Sequence, residues 1–530
     1  MSNVVVIFEP SGLRVLVESG TTILEATRKV GLHISSDCGG RGSCGKCRVV
    51  VHPTRDPTDQ DIEHLSSGEL RIGARLACRY QIEEQTRIML PQRKEQVKIL
   101  SKSETKEWTI DPQLQNQFGI ALDLGTTTMV AYLLELSNGN QIAQVESLNP
   151  QTAYGEDVIS RITYAAREKD GAIILQERVV NEINHQISKL VENTGINLNQ
   201  IRRIVVVGNT AMHHLLLAAD TITLGLSPYL PSISGPTTIK PQQLGIQMSD
   251  DSELYLPSNI AGFVGGDTVG FILSQRLDLA DDVVIGIDIG TNGEIVLSDH
   301  GKMYCCSAAA GPAFEGSTIL HGMRGQTGAI EYLSIENKDG RPEISIIGES
   351  IPRGLCGSAI VDVVAELLKV GIIDNTGRLL KQSIRVQENE KQGLSYLIVT
   401  KDENVQGNQI IFTQKDVRQV QLAKAAIQAG TTLLLERVGK SVSEIDRVLL
   451  AGAFGNYIRP ESALAIGLLP KVEVSQIIPV GNAAGEGAKG LLLSKKNREL
   501  AERLVKETQY IELASQERFQ EVFLQSISLQ

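Results

Sequence analysis

Two regimes of hydrophobic patterning divide the chain. Residues 4–8 (VVVIF) and 13–17 (LRVLV) are short β-branched runs joined by Pro10-Ser11-Gly12, which predicts a β-hairpin. ILEATRKVG follows with apolar positions at helical spacing, Thr21 or Thr22 placed to cap it and Gly31 to end it. A glycine-rich loop comes next, and KCRVVVH after it reads as a strand. From about Arg93 to Gln117 the chain is polar and charged with little apolar periodicity, which predicts a linker with room for a short strand around Trp108. The second regime opens at Phe118. FGIALDLG, TMVAYLLEL, RIVVVGN, VVIGIDIG, GEIVLSD and RVLLAGAFG are apolar strands, separated by helical stretches such as ILQERVVNEINHQISKLVEN. Strands alternating with helices over this length predict an α/β architecture.

Length and composition sharpen this division. A chain of 530 residues is too long for one core, since single cores stop growing at about 250–300 residues. The expected units are 1–92, a linker 93–117, a first α/β half 118–282, and a second half with a C-terminal segment 283–530. Apolar content of 42% and charged content of 21% are ordinary for a soluble globular protein. The net charge of −11 argues against nucleic acid as a partner, because phosphate binding needs clustered Lys and Arg. No stretch reaches the length of a membrane span, and MSNVVVIFEP lacks the basic start and apolar run of a signal peptide. The expected compartment is the cytosol, where thiols stay reduced.

Four of the seven cysteines fall within the first 78 residues, which suggests metal rather than a disulfide framework. The pattern is Cys38-x5-Cys44-x2-Cys47, with Cys78 farther on. Thiolates from one glycine-rich loop can wrap one face of a two-iron cluster, and a fourth brought in by the fold completes it. The small residues of GGRGS and GK let backbone N–H groups reach the cluster sulfurs. The alternative is structural zinc, which usually takes two close CxxC-like pairs, whereas Cys78 stands alone. Arg41, Lys46, Arg48 and Arg79 are either offsetting charges for a cluster or solvated loop charge. The x5 spacing and the RLAC segment resemble the adrenodoxin-like ferredoxins.

Asp123-Leu-Gly-Thr-Thr-Thr joins two apolar strands and recurs as Asp288-Ile-Gly-Thr-Asn-Gly, about 165 residues on. One such turn is weak evidence; two in matching strand-turn-strand contexts suggest an internal duplication. Backbone N–H groups and hydroxyls at Gly125, Thr126, Thr127 and Thr128, and at Gly290, Thr291, Asn292 and Gly293, can surround phosphates. Asp123 and its counterpart Asp288 can hold Mg2+ through water. His213-His214 reads as packing, because adjacent residues do not share a helix face. Cys305, Cys306 and Cys356 lack ligand spacing. AGPAFEG (310–316) and GLCGSAI (354–360) either line a cleft or pack helices.

These turns resemble the phosphate loops of the actin, Hsp70 and sugar-kinase superfamily of ATPases, whose duplicated ribonuclease-H-like halves face each other across a cleft. That resemblance implies further roles. GGDTVGFILSQRL becomes the first connecting helix and places Asp267 where the family orients attacking water or Mg2+; a helix N-cap is its plainer alternative. LAGAFGNYI becomes the adenosine motif, with Gly452, Ala453 and Gly455 beside the base. GNAAGEGAKGLLL becomes the second connecting helix, bringing Glu486 to the nucleotide.

A β-grasp ferredoxin-like domain fused through a linker to this fold resembles the reductive activators of corrinoid-dependent enzymes (the RACE family), a likeness carried also by NPQTAYGEDVISRI (149–162), CSAAAGPAFEG and LCGSAIVDVV. It implies a [2Fe–2S] cluster, ATP and Mg2+ as cofactors. The implied partners are a corrinoid protein or corrinoid-dependent methyltransferase, an external low-potential electron donor, and a second copy in a homodimer. The implied activity returns cobalt from Co(II) to Co(I) at the expense of ATP. ATP is needed because the electron runs uphill: such clusters sit near about −400 mV, and each 59 mV of mismatch costs about 1.4 kcal/mol. Two rivals stand beside this reading: a small-molecule kinase with a fused electron-transfer domain, and an ATP-gated reactivase or chaperone whose cluster is a redox sensor. Residues 500–530 contain no cysteine, unlike relatives with C-terminal clusters.

Overall fold

The β-branched runs at the amino end form an antiparallel hairpin, Asn3–Glu9 with Leu13–Glu18, which opens a five-stranded sheet. The computed structural model describes residues 3–9, 12–32, 34–90, 108–112, 116–290, 292–348, 350–390, 392–404, 409–455 and 457–530. Asn3–Glu9 pairs in parallel with Thr86–Met89, and Arg48–His52 and Ala74–Leu76 complete the sheet on the far side. Helix Ile23–Lys29 packs beneath it. Thr22 is its cap: the hydroxyl accepts from the Glu25 amide, and Glu25 accepts from the Thr22 amide in return. This is the β-grasp arrangement.

Most of the linker expected over 93–117 lies outside the described residues. Of the part that is described, residues 108–110 form no strand. Trp108 instead donates its indole N–H to Glu486 at 2.9 Å and lies over Gly490, where a β-carbon would come within 2.6 Å of the ring. Asp111 accepts from the Ser494 hydroxyl and the Lys495 amide, so this end of the linker is pinned to the second half.

Besides two three-stranded sheets, the rest of the chain builds two six-stranded sheets that share the order of five strands and carry the sixth at opposite edges. The first runs Thr237–Ile239, Glu253–Leu256, Ile201–Val207, Phe118–Leu124, Thr128–Glu135, Gln141–Leu148. The second runs Ile477–Gly481, Arg447–Ala451, Val283–Ile289, Gly293–Asp299, Lys302–Ala308, Gln509–Tyr510. In each, three sequential antiparallel strands are followed by two parallel ones on the other side of the first. The registers match as well: Asp123 lies beside Val207 and Asp288 beside Ala451, each on the neighbouring parallel strand. The two DxGT turns are therefore the same turn of a repeated unit.

Helices Gly266–Gln275 and Ala483–Leu493 join the halves and cross at close range. Glycine makes the crossing possible, because a β-carbon on Gly487 would overlap the Gly270 backbone. Phe271, Val284, Val296, Ala484 and Leu491 then share one core with residues of both sheets. Among the described residues no helix is long and apolar enough to cross a membrane.

The β-grasp domain is seated on both halves. From helix Ile23–Lys29, Arg28 donates to the Ala153 carbonyl at 2.9 and 2.6 Å and lies over the Tyr154 ring. Arg178 donates back to the Arg28 carbonyl at 2.7 Å. From the cysteine loop, Lys46 donates to the carbonyls of Ile319 and Gly322 at 3.1 and 3.2 Å.

Candidate functional site

The cysteine loop follows helix Ile23–Lys29 and turns through Gly39, Gly40, Gly42 and Gly45, with φ of +65°, +104°, +81° and +64°. Side chains would be strained at all four. At Gly45 a β-carbon would also come within 2.8 Å of His64. Cys78 reaches the loop from the segment after strand Ala74–Leu76, anchored where the Ala77 amide donates to the Cys47 carbonyl at 2.7 Å.

The four thiols stand as two contacting pairs. Cys47 and Cys78 have sulfurs 3.3 Å apart, and Cys38 accepts a hydrogen bond from the Cys44 thiol. In each pair one sulfur is drawn toward thiolate, Cys38 by the Cys44 thiol and Cys78 by the Cys47 thiol. Burial opposes this at both; the amides of Ser43, Cys44 and Gly40 assist it at Cys38. Cys44 and Cys47 are pushed the other way. Among the described residues no three His, Cys, Asp or Glu side chains converge as a single-ion site requires. Two thiols for each of two irons is the division a [2Fe–2S] core takes, and inward amides suit its sulfurs. The residues fit that group better than one tetrahedral zinc.

A cavity of about 260 Å³ lies between the halves. Its floor holds Asp123, Asp267 and Asp288, and both hairpin tips reach it through Gly125 to Thr128 and through Gly290 and Asn292. Gly452 also lines it, at φ +87°, and a β-carbon there would overlap the Asp288 carboxylate. Other expected residues lie elsewhere. Thr291 is outside the described residues, as is the side chain of Ala453 in the short helix Gly452–Gly455. Gly293 faces Ile427 and Gly455 faces Leu450. Glu486 does not line the cavity: it is 2% exposed and is held by Trp108 and by Lys489 at 2.9 Å. Its position on the helix turns it toward the linker, away from the cleft.

The residues around the first tip hold it rigid. Asn149 donates to the Gly125 carbonyl at 2.9 Å. Arg161, fully buried, donates to the carbonyls of Thr126 and Gly155. Both belong to the NPQTAYGEDVISRI segment, which thus braces the turn from beneath. Asn209 caps helix Thr210–Leu216 and donates to the Thr126 hydroxyl at 2.9 Å. The same helix buries His213 and His214. Burial lowers the His213 pKa to about 3, so it stays neutral.

Four of the carboxyls that line the cleft are shifted upward. Burial, then Asp267 and Asp123, hold Asp288 up to about 7. Burial holds Asp123 up to about 7 as well, against a 2.8 Å hydrogen bond from Asn482. Asp267 is raised to about 6, again by burial, with the Thr268 amide opposing. It is not the helix cap, since Gly265 takes that position and Asp267 sits in the first turn. Glu294, which lies opposite Asp288 in the second hairpin, is also pushed well up by burial. Among the described residues, no three of these carboxyls converge on one point, so a cation here would take most of its ligands from water and phosphate oxygens.

Sequence reasoning missed Glu294, Asn209, Asn482, Glu315 and Arg324. Glu294 had a signal: it stands opposite Asp288 across a tight hairpin, where the first copy has Val130 opposite Asp123. AGPAFEG and GLCGSAI do line the cavity, through Phe314 and Glu315 and through Cys356, Gly357 and Ser358. Cys305 and Cys306 are buried in strand Lys302–Ala308.

Three family models match in series: a 2Fe-2S iron-sulfur cluster binding domain over residues 6–83, the RACo middle region over 118–280, and the C-terminal domain of RACo, the ASKHA domain, over 282–530. The chain is 38% identical over 417 residues to the corrinoid activation enzyme RamQ of Eubacterium limosum, covering 77% of this chain and 69% of that protein. It is 24% identical over 447 residues to the [Co(II) methylated amine-specific corrinoid protein] reductase of Methanosarcina barkeri, covering 78% and 77%. A solved reductive activator for corrinoid, iron-sulfur protein superposes with a TM-score of 0.70 at 30% identity, over 99% of this chain and 98% of that one. With this architecture and these relatives, the chain belongs to the family of reductive activators of corrinoid proteins, a ferredoxin-type domain followed by an ASKHA unit.

Proposed function

We propose that this protein reactivates a corrinoid protein or corrinoid-dependent methyltransferase, returning Co(II) to Co(I) at the expense of ATP. A [2Fe–2S] cluster held by Cys38, Cys44, Cys47 and Cys78 would supply one-electron chemistry, refilled by an external low-potential donor. The observation that carries the reading is the seat of the ferredoxin domain. Arg28 grips one half of the cleft at Ala153 and Lys46 grips the other at Gly322. A nucleotide that changes how the halves meet therefore changes the seat.

Each group then has a task. The tips at Gly125–Thr128 and Gly290–Asn292 offer amides and hydroxyls to the phosphates. Asp123 and Asp288 hold Mg2+ through water, and Asp267 or Glu294 orients the attacking water. Gly452 lets the adenosine approach the backbone. Asn149 and Arg161 keep the first tip in shape. ATP can shift the equilibrium only by as much as its affinity differs between the two arrangements of the halves. Free thiols throughout the described chain suit a cytosolic protein. Homodimerisation through the ATPase region belongs to the same proposal.

The test uses anaerobic, reduced protein and an oxidised corrinoid protein, with Co(I) followed by its absorbance. Addition of ATP should raise both the yield and the rate, and the partner should stimulate hydrolysis. Equal yield with and without ATP would overturn the reading. Cys44→Ser should abolish cobalt reduction and spare hydrolysis; a variant that still reactivates the partner would favour the reactivase instead.

A further inference from the structure

Two short strips of backbone link the ferredoxin domain to the nucleotide cleft. In the first half, Ala153 accepts from Arg28 through its carbonyl, and three residues on Glu156 accepts from Arg324, a residue of the cavity lining. In the second half, Gly322 accepts from Lys46, and two residues on Arg324 lines the cavity. Arg324 and Glu156 join the strips across the cleft in a 2.7 Å ion pair. That pair lies beneath the cysteine loop, where the Asp37 carboxylate is within electrostatic reach of both partners.

The charge around the cavity is lopsided. Asp123, Asp267, Asp288, Glu294, Glu315 and Glu331 face it, and Arg324 is the one cation among the described residues that line it. A polyphosphate entering such a field needs every positive group available. The donors suited to its far end are already held by carboxylates: Thr127 donates to Glu315 at 3.1 Å, and Arg324 donates to Glu156. Glu156 has 2% of its side chain exposed, so breaking its ion pair leaves it, at a cost, with the buried Arg161 as the remaining cation within electrostatic reach.

We propose that Arg324 is a phosphate-sensing arginine, which leaves Glu156 for the terminal phosphate of ATP and thereby loosens the ferredoxin seat. The inference rests on the reading of the cleft as an ATP site. When Arg324 moves, Glu156 loses its ion pair, keeps only Arg161 within electrostatic reach and is drawn toward water, and the strip that would turn it outward also carries the Ala153 carbonyl that holds Arg28. The same move leaves Asp37 facing Glu156 with one cation fewer. ATP and the seated ferredoxin domain are then antagonists, and the effect is reciprocal. ADP, which lacks the terminal phosphate, leaves the pair closed.

The experiment uses full-length, cluster-containing protein as wild type, Arg324→Gln, Arg324→Lys and Glu156→Gln. Calorimetry measures binding of ADP and of a non-hydrolysable ATP analogue, each with Mg2+, and X-ray scattering follows the radius of gyration. Loss of charge-assisted bonds to a phosphate is expected to weaken the analogue about tenfold or more in Arg324→Gln, with ADP nearly unchanged. Arg324→Lys keeps the charge without the fork and should fall between; it is read alone if Arg324→Gln does not fold. Glu156→Gln should bind the analogue more tightly than wild type, since the arginine is already released. The analogue should enlarge the wild-type particle and ADP should not. Equal losses for both nucleotides, no loss at all, or weaker analogue binding by Glu156→Gln would overturn the sensing role. The expected affinities with no change in scattering would overturn the loosening of the seat. Failure of wild type to bind either nucleotide would instead overturn the ATP reading itself.

Discussion

Gly487→Ala tests the crossing on which the cleft depends. On an unobstructed helix this exchange stabilises by about 0.8–1 kcal/mol, because glycine leaves the backbone freer in the unfolded chain. In helix Ala483–Leu493 the added carbon would overlap the carbonyl oxygen, Cα and carbonyl carbon of Gly270. A backbone cannot swing aside as a side chain can, so the two helices must part by roughly 1 Å to restore normal contact. A gap of that size forfeits a quarter to a half of the dispersion energy of each facing contact, and overpacking of this kind costs about 1–3 kcal/mol. The helices share a core with Phe271, Val284 and Leu491, so the cost is felt on both sides. Sterics outweigh propensity, and a net loss of about 1–2 kcal/mol is expected.

Gly68 provides the control. It lies in helix Ser67–Arg71, and a β-carbon there meets only the Ser66 hydroxyl, 3.9 Å away. Gly68→Ala should stabilise the ferredoxin domain by about 0.5–1 kcal/mol. Urea denaturation separates the two, with visible cluster absorbance reporting the ferredoxin domain and far-ultraviolet dichroism the remainder. Nucleotide affinity should fall in Gly487→Ala, since parted helices splay the halves. A Gly487→Ala protein as stable as wild type, or more so, would refute the close crossing, because it would display the propensity gain without the clash.

Three further outcomes are expected. Arg161→Gln removes the buried brace of the first tip, leaving the Thr126 and Gly155 carbonyls short of a donor; nucleotide affinity should drop about tenfold by calorimetry while the cluster spectrum is unchanged. Cys78→Ser should abolish the two-iron signal in electron paramagnetic resonance of the reduced protein and leave nucleotide binding within about twofold, because the Arg28 and Lys46 contacts that seat the ferredoxin domain do not involve Cys78. Asp123 and Asp288 are both held up to about 7, so each is mostly protonated at pH 6 and mostly ionised at pH 8, and a cation must displace those protons to bind. Affinity for the Mg2+–nucleotide complex should therefore rise with pH across this window, about tenfold for each carboxylate that must ionise, with proton release visible as a buffer-dependent heat; an affinity flat from pH 6 to 8 would contradict the raised carboxyls.

What could be read from the chain beforehand was what local spacing encodes. The cysteine loop is such a case: x5 and x2 spacing with glycines at four left-handed positions specifies one tight loop whatever surrounds it. The duplicated halves are another, since Asp123 and Asp288 sit at identical points of a strand-turn-strand unit, and the shared order of five strands follows from that repetition. Trp108 misled for a related reason. Its neighbours carry weak β-propensity, but a gap of the right size at Gly490 and an acceptor at Glu486 outweighed it, and neither is visible from position 108. Glu486 was drawn away from the nucleotide by the same contact.

Arg324 lies at the other extreme, because nothing in its neighbourhood marks it as a cleft residue. The segment carrying it follows AGPAFEG, and its counter-ion Glu156 is 168 residues earlier in the other half. The two meet only because duplicated sheets, joined by two crossing helices, bring the mouths of both halves to one place. The ferredoxin domain sits across that mouth, so a residue there feels the phosphate on one side and the cluster loop on the other. Coupling of this kind requires no signal through the core. It requires a bistable contact that both ligands touch, and a buried ion pair spanning two movable bodies is such a contact, since breaking it leaves a charge that must be re-solvated. The consequence can be measured without a corrinoid partner. Deleting the ferredoxin domain should tighten binding of the ATP analogue by the same factor by which Glu156→Gln does, and combining the two changes should add nothing; additive effects would mean that Glu156 and the seat act on the nucleotide separately.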